Sequence, residues 1–361
     1  MTSTLLPDRK KLLLDHLPEE WNLPKGPAFH RKQITQWLFE KRVQSFDQMS
    51  NLSKSLRQHL NQHYEMNALE LEHMQGSNDT TRKFLWRLRQ TDYIESVLIP
   101  ASPALYGERS DRFTLCISSQ VGCAYGCKFC ASGLDGWKRH LSPGEIVAQI
   151  METERLSGER INNLVFMGMG EPMANFDNLM KAIDMINSSW GINIGARHIT
   201  VSTSGLVDRI RDLADQPRQI RLAISLHGAT NDVRDKIMPI NRKHPVEDLL
   251  EACVYFRKKK KQMITFEYIL IDGINDGLDQ AKLLADYASH LHAKVNLIPY
   301  NKVEGLDWKR PPEKNIYAFA HILKQADISV TLRLEKGHDI DAACGQLRLK
   351  QKNQDQKLPT N

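Results

Sequence analysis

The chain has 361 residues, 41% apolar and 25% charged, enough to bury one large core plus a smaller appended domain; it contains no run of 18 apolar residues, and charges interrupt the leucines of its first 21 residues, which excludes a signal peptide or membrane span there. Lys and Arg exceed Asp and Glu by 49 to 43, a net charge of +6 that permits a polyanionic partner without requiring one. Six cysteines, three of them within eight residues, do not make a secreted disulfide scaffold; in a reducing cytoplasm, the expected location, such crowding points to a metal.

In chain order, residues 1–75 read as a small helical domain, with Ile34, Trp37, Leu38 and Phe39, then Phe46, Met49, Leu52, Leu56 and Leu60 at helical spacing. The period then changes. KFLWRLR and YIESVLI alternate as two strands around Gln90-Thr91-Asp92, a β-hairpin linker assigned to residues 76–105. From 106 to 346, six strand candidates (TLCISS, NLVFMGMG, ITVSTSG, RLAISLHG, MITFEYILI and VNLIPYN) alternate with helix candidates such as SPGEIVAQIMETERL, NFDNLMKAIDMINSS, TNDVRDKIM and HPVEDLLEACVYFRKK. That repeat predicts an α/β fold, a parallel sheet in a partial (β/α)6 barrel. A last strand candidate spans 328–337, and the basic tail 347–361 reads as disordered.

Parallel α/β folds bind ligands at the carboxyl edge of the sheet, and these candidates end there in Gly170, Ser202, His227 and Asn301. Cys123-Ala-Tyr-Gly-Cys127-Lys-Phe-Cys130 follows the first strand and offers three thiolates in one loop, which suits three corners of a [4Fe–4S] cube and leaves one iron without a protein ligand. An open iron can chelate the amino and carboxylate groups of S-adenosylmethionine (SAM), so that an electron delivered through the cluster releases a 5′-deoxyadenosyl radical. Gly126 lets the backbone fold around the cube. A structural zinc site is the competing reading, but it needs four ligands, and no second Cys-x2-Cys knuckle is present.

At this motif the chain resembles the radical SAM superfamily. The resemblance assigns Gly170 and Glu171 of GMGEP to the methionine amino group of SAM, and adds Ser202, Ser225, Leu226, His227 and Asn301 as further SAM contacts. Taken alone, GMGEP is a plain turn and His227 a core histidine; the distance of GMGEP after the cluster motif, and for His227 the repeated placement of polar residues at strand ends, favour the ligand reading.

Two further cysteines, Cys116 and Cys344, read singly as small buried hydrophobes. As a pair they match a chemical need. An sp2 carbon flanked by ring nitrogens, such as adenine C2, has no nucleophilic lone pair, so it cannot displace the methyl group of SAM directly. A cysteine thiolate can take that methyl, lose a hydrogen atom from it to the radical and add the resulting carbon to the ring; a second thiol then frees the crosslinked carrier by forming a disulfide, once a base has removed the ring proton. LCISSQVGCAYGCKFC, FMGMGEP, VSTSG, AISLH, LIPYN and DIDAACGQL together resemble the RlmN/Cfr family of radical SAM RNA adenine methyltransferases, over residues 28–347. The resemblance implies Cys344 as methyl carrier, Cys116 as resolving thiol and Glu95 as proton acceptor, the last competing with a solvated strand glutamate.

Pro172 favours the branch of that family that methylates C2 of a 23S rRNA adenine and, in some members, adenine 37 of a tRNA anticodon loop, whereas the cluster loop resembles the C8-methylating branch equally well. A radical SAM enzyme with a non-RNA substrate is the more distant alternative, and it leaves the cysteine pair unexplained. The implied partners are 23S rRNA, tRNA and an electron donor such as flavodoxin, with the protein acting as a monomer. Arg31, Lys32, Lys41 and Arg42 resemble phosphate contacts of the accessory domain, but such charges also simply solvate a helix face. The run Arg257 to Lys261 reads equally as a helix C-terminal cap or an RNA contact.

Overall fold

A computed structural model describes residues 10–77, 80–89, 91–101, 112–134, 136–302 and 306–333. After β1 (Lys11–Leu12) come helices Phe29–Thr35 and Lys54–His63, and the second runs into β2 (Tyr64–Glu65), which pairs with β1 in parallel. Ser53 caps the second helix by accepting the Leu56 N–H at 3.2 Å, and Leu56 and Leu60, one turn apart, are buried. This segment packs on helix Pro143–Ser157: Asp15 accepts the Gly144 N–H at 3.1 Å, and Arg42 pairs with Glu154 at 2.6 Å.

Three antiparallel strands follow: β3 (Leu69–Gly76), β4 (Arg82–Leu88) and β5 (Tyr93–Pro100). The expected hairpin is β4 with β5. Residues 69–75, read as part of the helical segment, form β3 instead; Leu71 and Met74 are exposed, so no buried face marks this edge strand in the sequence and pairing with β4 decides it. The hairpin is also not a separate link, because β5 pairs with the first strand of the parallel sheet.

That sheet contains β6 (Phe113–Cys116), and after it the small antiparallel pair β7 (Gln120–Gly122) and β8 (Trp137–His140) stands apart. It continues through β9 (Ile161–Phe166), β10 (Ile199–Thr203), β11 (Arg221–Ser225), β12 (Thr265–Leu270), β13 (Lys294–Pro299) and β14 (Val330–Leu332). All six strand candidates form, each shorter than its apolar run because the trailing Gly, Ser, His and Asn residues leave the ladder. The spatial order from β6 through β9 to β14 follows the chain order, and every one of these pairs is parallel. Crossovers of one hand stepping in one direction put the helices on one face, so the opposite face becomes the interior of a partial barrel.

The two faces differ chemically. Leu115, Leu164, Val201, Ile224, Phe266 and Tyr268 are fully buried in the core beneath the helices, where a side chain such as Phe266 contributes about 2–3 kcal/mol. The register puts Cys116, Ser202, Ser225, Glu267 and Asn296 on the other, polar face. No helix among the described residues is long and apolar enough to cross a membrane.

Candidate functional site

Cys123, Cys127 and Cys130 follow β7 on one loop, and none of the three forms a disulfide among the described residues. Gly126, at φ +60°, takes the left-handed turn that brings the loop back on itself. The Lys128 N–H donates to Ile237 O at 2.9 Å, while Tyr125, Cys127 and Phe129 pack against Met238, Ile240, Ile271 and Tyr300, which lays the loop over the carboxyl ends of β11–β13. Burial pushes the Cys123 thiol up to about 12, with Glu171 and Cys130 adding to the rise, and it pushes Cys127 up further. Thiolates there need a compensating cation, and the three sulfurs are near enough to perturb one another. Among the described residues no three His, Cys, Asp or Glu side chains converge on a single ion, whereas an iron–sulfur cube takes each cysteine on a different iron. The donor set fits a [4Fe–4S] cluster.

The GMGEP segment abuts this loop, and its glycines face the chain itself. A Cβ on Gly170, at φ +97°, would lie 2.4 Å from Gln120 Cβ, and one on Gly168 would lie 2.6 Å from Ile117 O, so the close approach expected toward a ligand is made first toward residues 117–120. Glu171 is buried and already engaged: Oε2 accepts the Ser204 N–H at 2.7 Å and the Ser204 hydroxyl at 2.8 Å, and Oε1 accepts the Met173 N–H at 3.0 Å. Burial raises its pKa against these bonds. It therefore braces β10 against the turn after β9 as well as presenting an acceptor to the site.

Ser202 and Ser225 meet with their hydroxyls 3.5 Å apart, and Asn301 follows the end of β13. Leu226 buries its side chain in the core, and both of its backbone groups are bonded, so this predicted contact does not face the site with its side chain. His227, at φ +56°, accepts the Ile269 N–H on Nδ1 at 3.0 Å and packs edge-on against Phe129 of the cysteine loop, 4.8 Å between centroids. Burial and then Arg234 hold it down to about 3, so it is neutral with its proton on Nε2. Because the folded value lies below the ordinary 6.5, the unfolded chain takes up a proton first, and stability is lost as pH falls from 6.5 toward 3. The His227 ring resonances should accordingly hold their neutral shifts from pH 8 down to pH 4; a midpoint near 6 by NMR contradicts this geometry.

Two residues missed in the sequence assemble this edge. Arg234 is fully buried and donates to Ser204 O at 3.0 Å, Ser225 O at 3.1 Å, Leu226 O and Asn241 Oδ1 at 3.0 Å, bolting the ends of β10 and β11 together. Asn275 donates to His227 O at 2.7 Å and to Ile269 O at 2.5 Å, and accepts the Ile271 N–H at 2.7 Å. Arg234 was legible in principle, since it lies three residues from buried Ile237 on one helix face. Arg234→Met removes a buried donor from four acceptors, of which Leu226 O keeps the Gly228 N–H, so urea unfolding should show a loss of about 3 kcal/mol or more. A change below about 1 kcal/mol would show that the bolt is dispensable.

Cys116 is buried, and it pairs in register with Val97 of β5 and Val165 of β9. Glu95, two residues before Val97, shares that polar face and is no solvated strand glutamate: it is 3% exposed and 3.8 Å from the fully buried ammonium of Lys83. Cys344 lies outside the described residues, as do the tail and residues 334–337 of the last strand candidate, whose described part forms β14.

The basic groups expected at RNA divide. Arg31 donates to Pro18 O at 2.7 Å and Trp21 O at 3.3 Å, and Arg42 is taken by Glu154, so both are committed within the protein; Lys41 sits over the Trp37 ring at 3.6 Å. In the run 257–261, Arg257 and Lys260 donate to backbone carbonyls and Lys259 pairs with Asp215 at 3.1 Å, which answers for the local basicity by packing.

Comparison with known proteins decides the family. The Radical SAM superfamily model matches residues 117–284, and the model for the ribosomal RNA large subunit methyltransferase N-terminal domain matches residues 25–66. A probable dual-specificity RNA methyltransferase RlmN from Akkermansia muciniphila is 55% identical over 326 residues, 90% of this chain and 91% of that one. This chain belongs to the RlmN family. Its RlmN relative from Geobacillus kaustophilus is 44% identical and covers 98% of this chain and 96% of its own. The crystal structure of a radical SAM methyltransferase from Sphaerobacter thermophilus superimposes with a TM-score of 0.83 at 39% identity, covering 89% of this chain and 93% of that one.

Proposed function

We infer that this protein is a SAM-dependent radical RNA methyltransferase that adds a methyl group to C2 of an adenine in 23S rRNA and in a tRNA anticodon loop. The observation that carries the reading is the placement of Cys116 and Glu95 on one polar face of β5 and β6, at the sheet edge where the cysteine loop lies. A thiol and a carboxylate sharing that face support a reaction that uses both.

Cys123, Cys127 and Cys130 would hold a [4Fe–4S] cluster, which with bound SAM supplies a 5′-deoxyadenosyl radical on one-electron reduction by a donor such as flavodoxin. Gly170, Glu171, Ser202, Ser225, His227 and Asn301 would orient SAM: the neutral imidazole of His227 donates from Nε2, and the serines offer hydroxyls. Cys344 carries the methyl group as a thioether. Glu95 takes the ring proton, with the Lys83 ammonium 3.8 Å away on the same face. The Cys116 thiolate then attacks the Cys344 sulfur and breaks its bond to the methylene, giving a disulfide while the methylene takes up a proton; the odd electron left from radical addition would return to the oxidised electron carrier, and an external dithiol would restore both cysteines.

The test is anaerobic reconstitution with the cluster, SAM and a reductant, followed by nucleoside mass spectrometry of treated 23S rRNA and tRNA. 2-Methyladenosine in both is the expected product. 8-Methyladenosine would overturn the ring position, and cleavage of SAM without RNA methylation would overturn the substrate.

A further inference from the structure

The polar face of the barrel holds a carboxylate that the reading above does not use. Glu267 lies in the middle of β12, between Phe266 and Tyr268, whose rings are buried in the core under the helices; alternation along the strand turns Glu267 to the barrel interior. It is 4% exposed. Across the sheet it stands in register with Ser225 of β11 on one side and Asn296 of β13 on the other, and the Ser225 hydroxyl reaches that of Ser202. Asn296 Nδ2 donates to Oε1 at 2.8 Å, whereas Oε2 is buried without a hydrogen-bond partner. Burial penalises the charge of this carboxylate, and Arg333 and Lys294 attract it without either bonding to Oε2.

A buried carboxylate oxygen with no donor costs free energy that a native site recovers when a donor arrives. Among the described residues no donor reaches Oε2, which leaves it open to a donor from a ligand inside the barrel. Ser202, Ser225, Glu267 and Asn296 form one row of short polar groups, two hydroxyls and an amide beside the open carboxylate oxygen, whose paired donors and acceptors match those of a diol. On the other side of β10, the Glu171 carboxylate would remain the partner for the ammonium of SAM beside its bonds to Ser204 and Met173.

We propose that Glu267 is a ribose-binding residue, whose Oε2 accepts hydrogen bonds from the vicinal hydroxyls of a nucleoside held against Ser225 and Asn296. The ribose is that of SAM or that of the target nucleotide, which share this chemistry. The inference rests on the assignment of Ser202 and Ser225 to the SAM pocket.

Calorimetry on the reconstituted holoenzyme distinguishes the sources. The probes are S-adenosylhomocysteine and its 2′-deoxy and 3′-deoxy congeners, and an RNA hairpin carrying adenosine or 2′-deoxyadenosine at the methylated position. If the ribose of SAM is bound, Glu267→Gln weakens S-adenosylhomocysteine by roughly tenfold or more, as expected for a hydrogen bond to a charged group. Deletion of a hydroxyl then costs the wild type a similar factor and costs the variant little, a non-additive cycle. If the ribose of RNA is bound, S-adenosylhomocysteine is unaffected and the same cycle appears with the hairpins. Glu267→Asp, which withdraws the carboxylate by one methylene, should weaken the same ligand and serves where the Gln variant does not fold. A wild type indifferent to every deleted hydroxyl, or cycles that are additive in both series, overturns the proposal. Ser225→Ala separates that failure from failure of the pocket: weaker S-adenosylhomocysteine binding in Ser225→Ala alone leaves the pocket standing without Glu267, and no effect from either substitution removes both.

Discussion

Cys116→Ala should abolish turnover while leaving the protein methylated and attached to its RNA. A carrier thiol that has delivered its methylene to the ring is crosslinked until a second thiol attacks its sulfur, and Cys116, buried on the polar face beside Val97, is the described cysteine on that face. RNA should therefore co-purify with Cys116→Ala through denaturation. Cys344→Ala should fail earlier: it carries no methyl group and forms no adduct, and adding it to Cys116→Ala should make the adduct disappear. Activity alone cannot separate the two variants, since each loses all turnover; the adduct does. Normal turnover in Cys116→Ala, or an adduct formed without Cys344, sinks the two-cysteine assignment.

Cys127→Ala should have an equally large effect by another route. Of the three loop cysteines, Cys127 is the one that packs against the apolar cluster of Met238, Ile271 and Tyr300, so its removal takes away a cluster corner and loosens the loop from the ends of β11–β13. Reconstituted Cys127→Ala should bind less than the wild-type iron and sulfide, lose the charge-transfer absorption of the cluster and release no 5′-deoxyadenosine with dithionite and SAM. The fold should survive, because the main core beneath the helices does not include this residue. Stoichiometric zinc with wild-type methylation would rule out the cluster reading.

How much of this was legible in the sequence depends on whether the signal was local. The spacing of Cys123, Cys127 and Cys130, the six apolar runs of the parallel sheet and the polar residues at their ends are all written within a few residues of one another, and the strands formed where those runs lie. The edge strand β3 was not legible, because a strand with exposed apolar residues carries no buried face and exists through its partner. Nor did the sequence reveal that Pro18 O and Glu154 engage Arg31 and Arg42, which the resemblance offered to phosphates.

The sequence by itself determined the chemistry, since three crowded thiols, two further cysteines and the β/α alternation depend on residue identity and short-range period alone. Only the tertiary structure decided which polar groups that chemistry can use. Glu95 became a buried partner of Lys83, His227 a neutral ring pinned by Ile269, Arg234 a bolt across two strand ends, and Glu267 a carboxylate inside the barrel with one oxygen bonded to Asn296 and the other open. Each of those facts rests on sheet register and burial between residues up to tens of positions apart, quantities that no local pattern encodes.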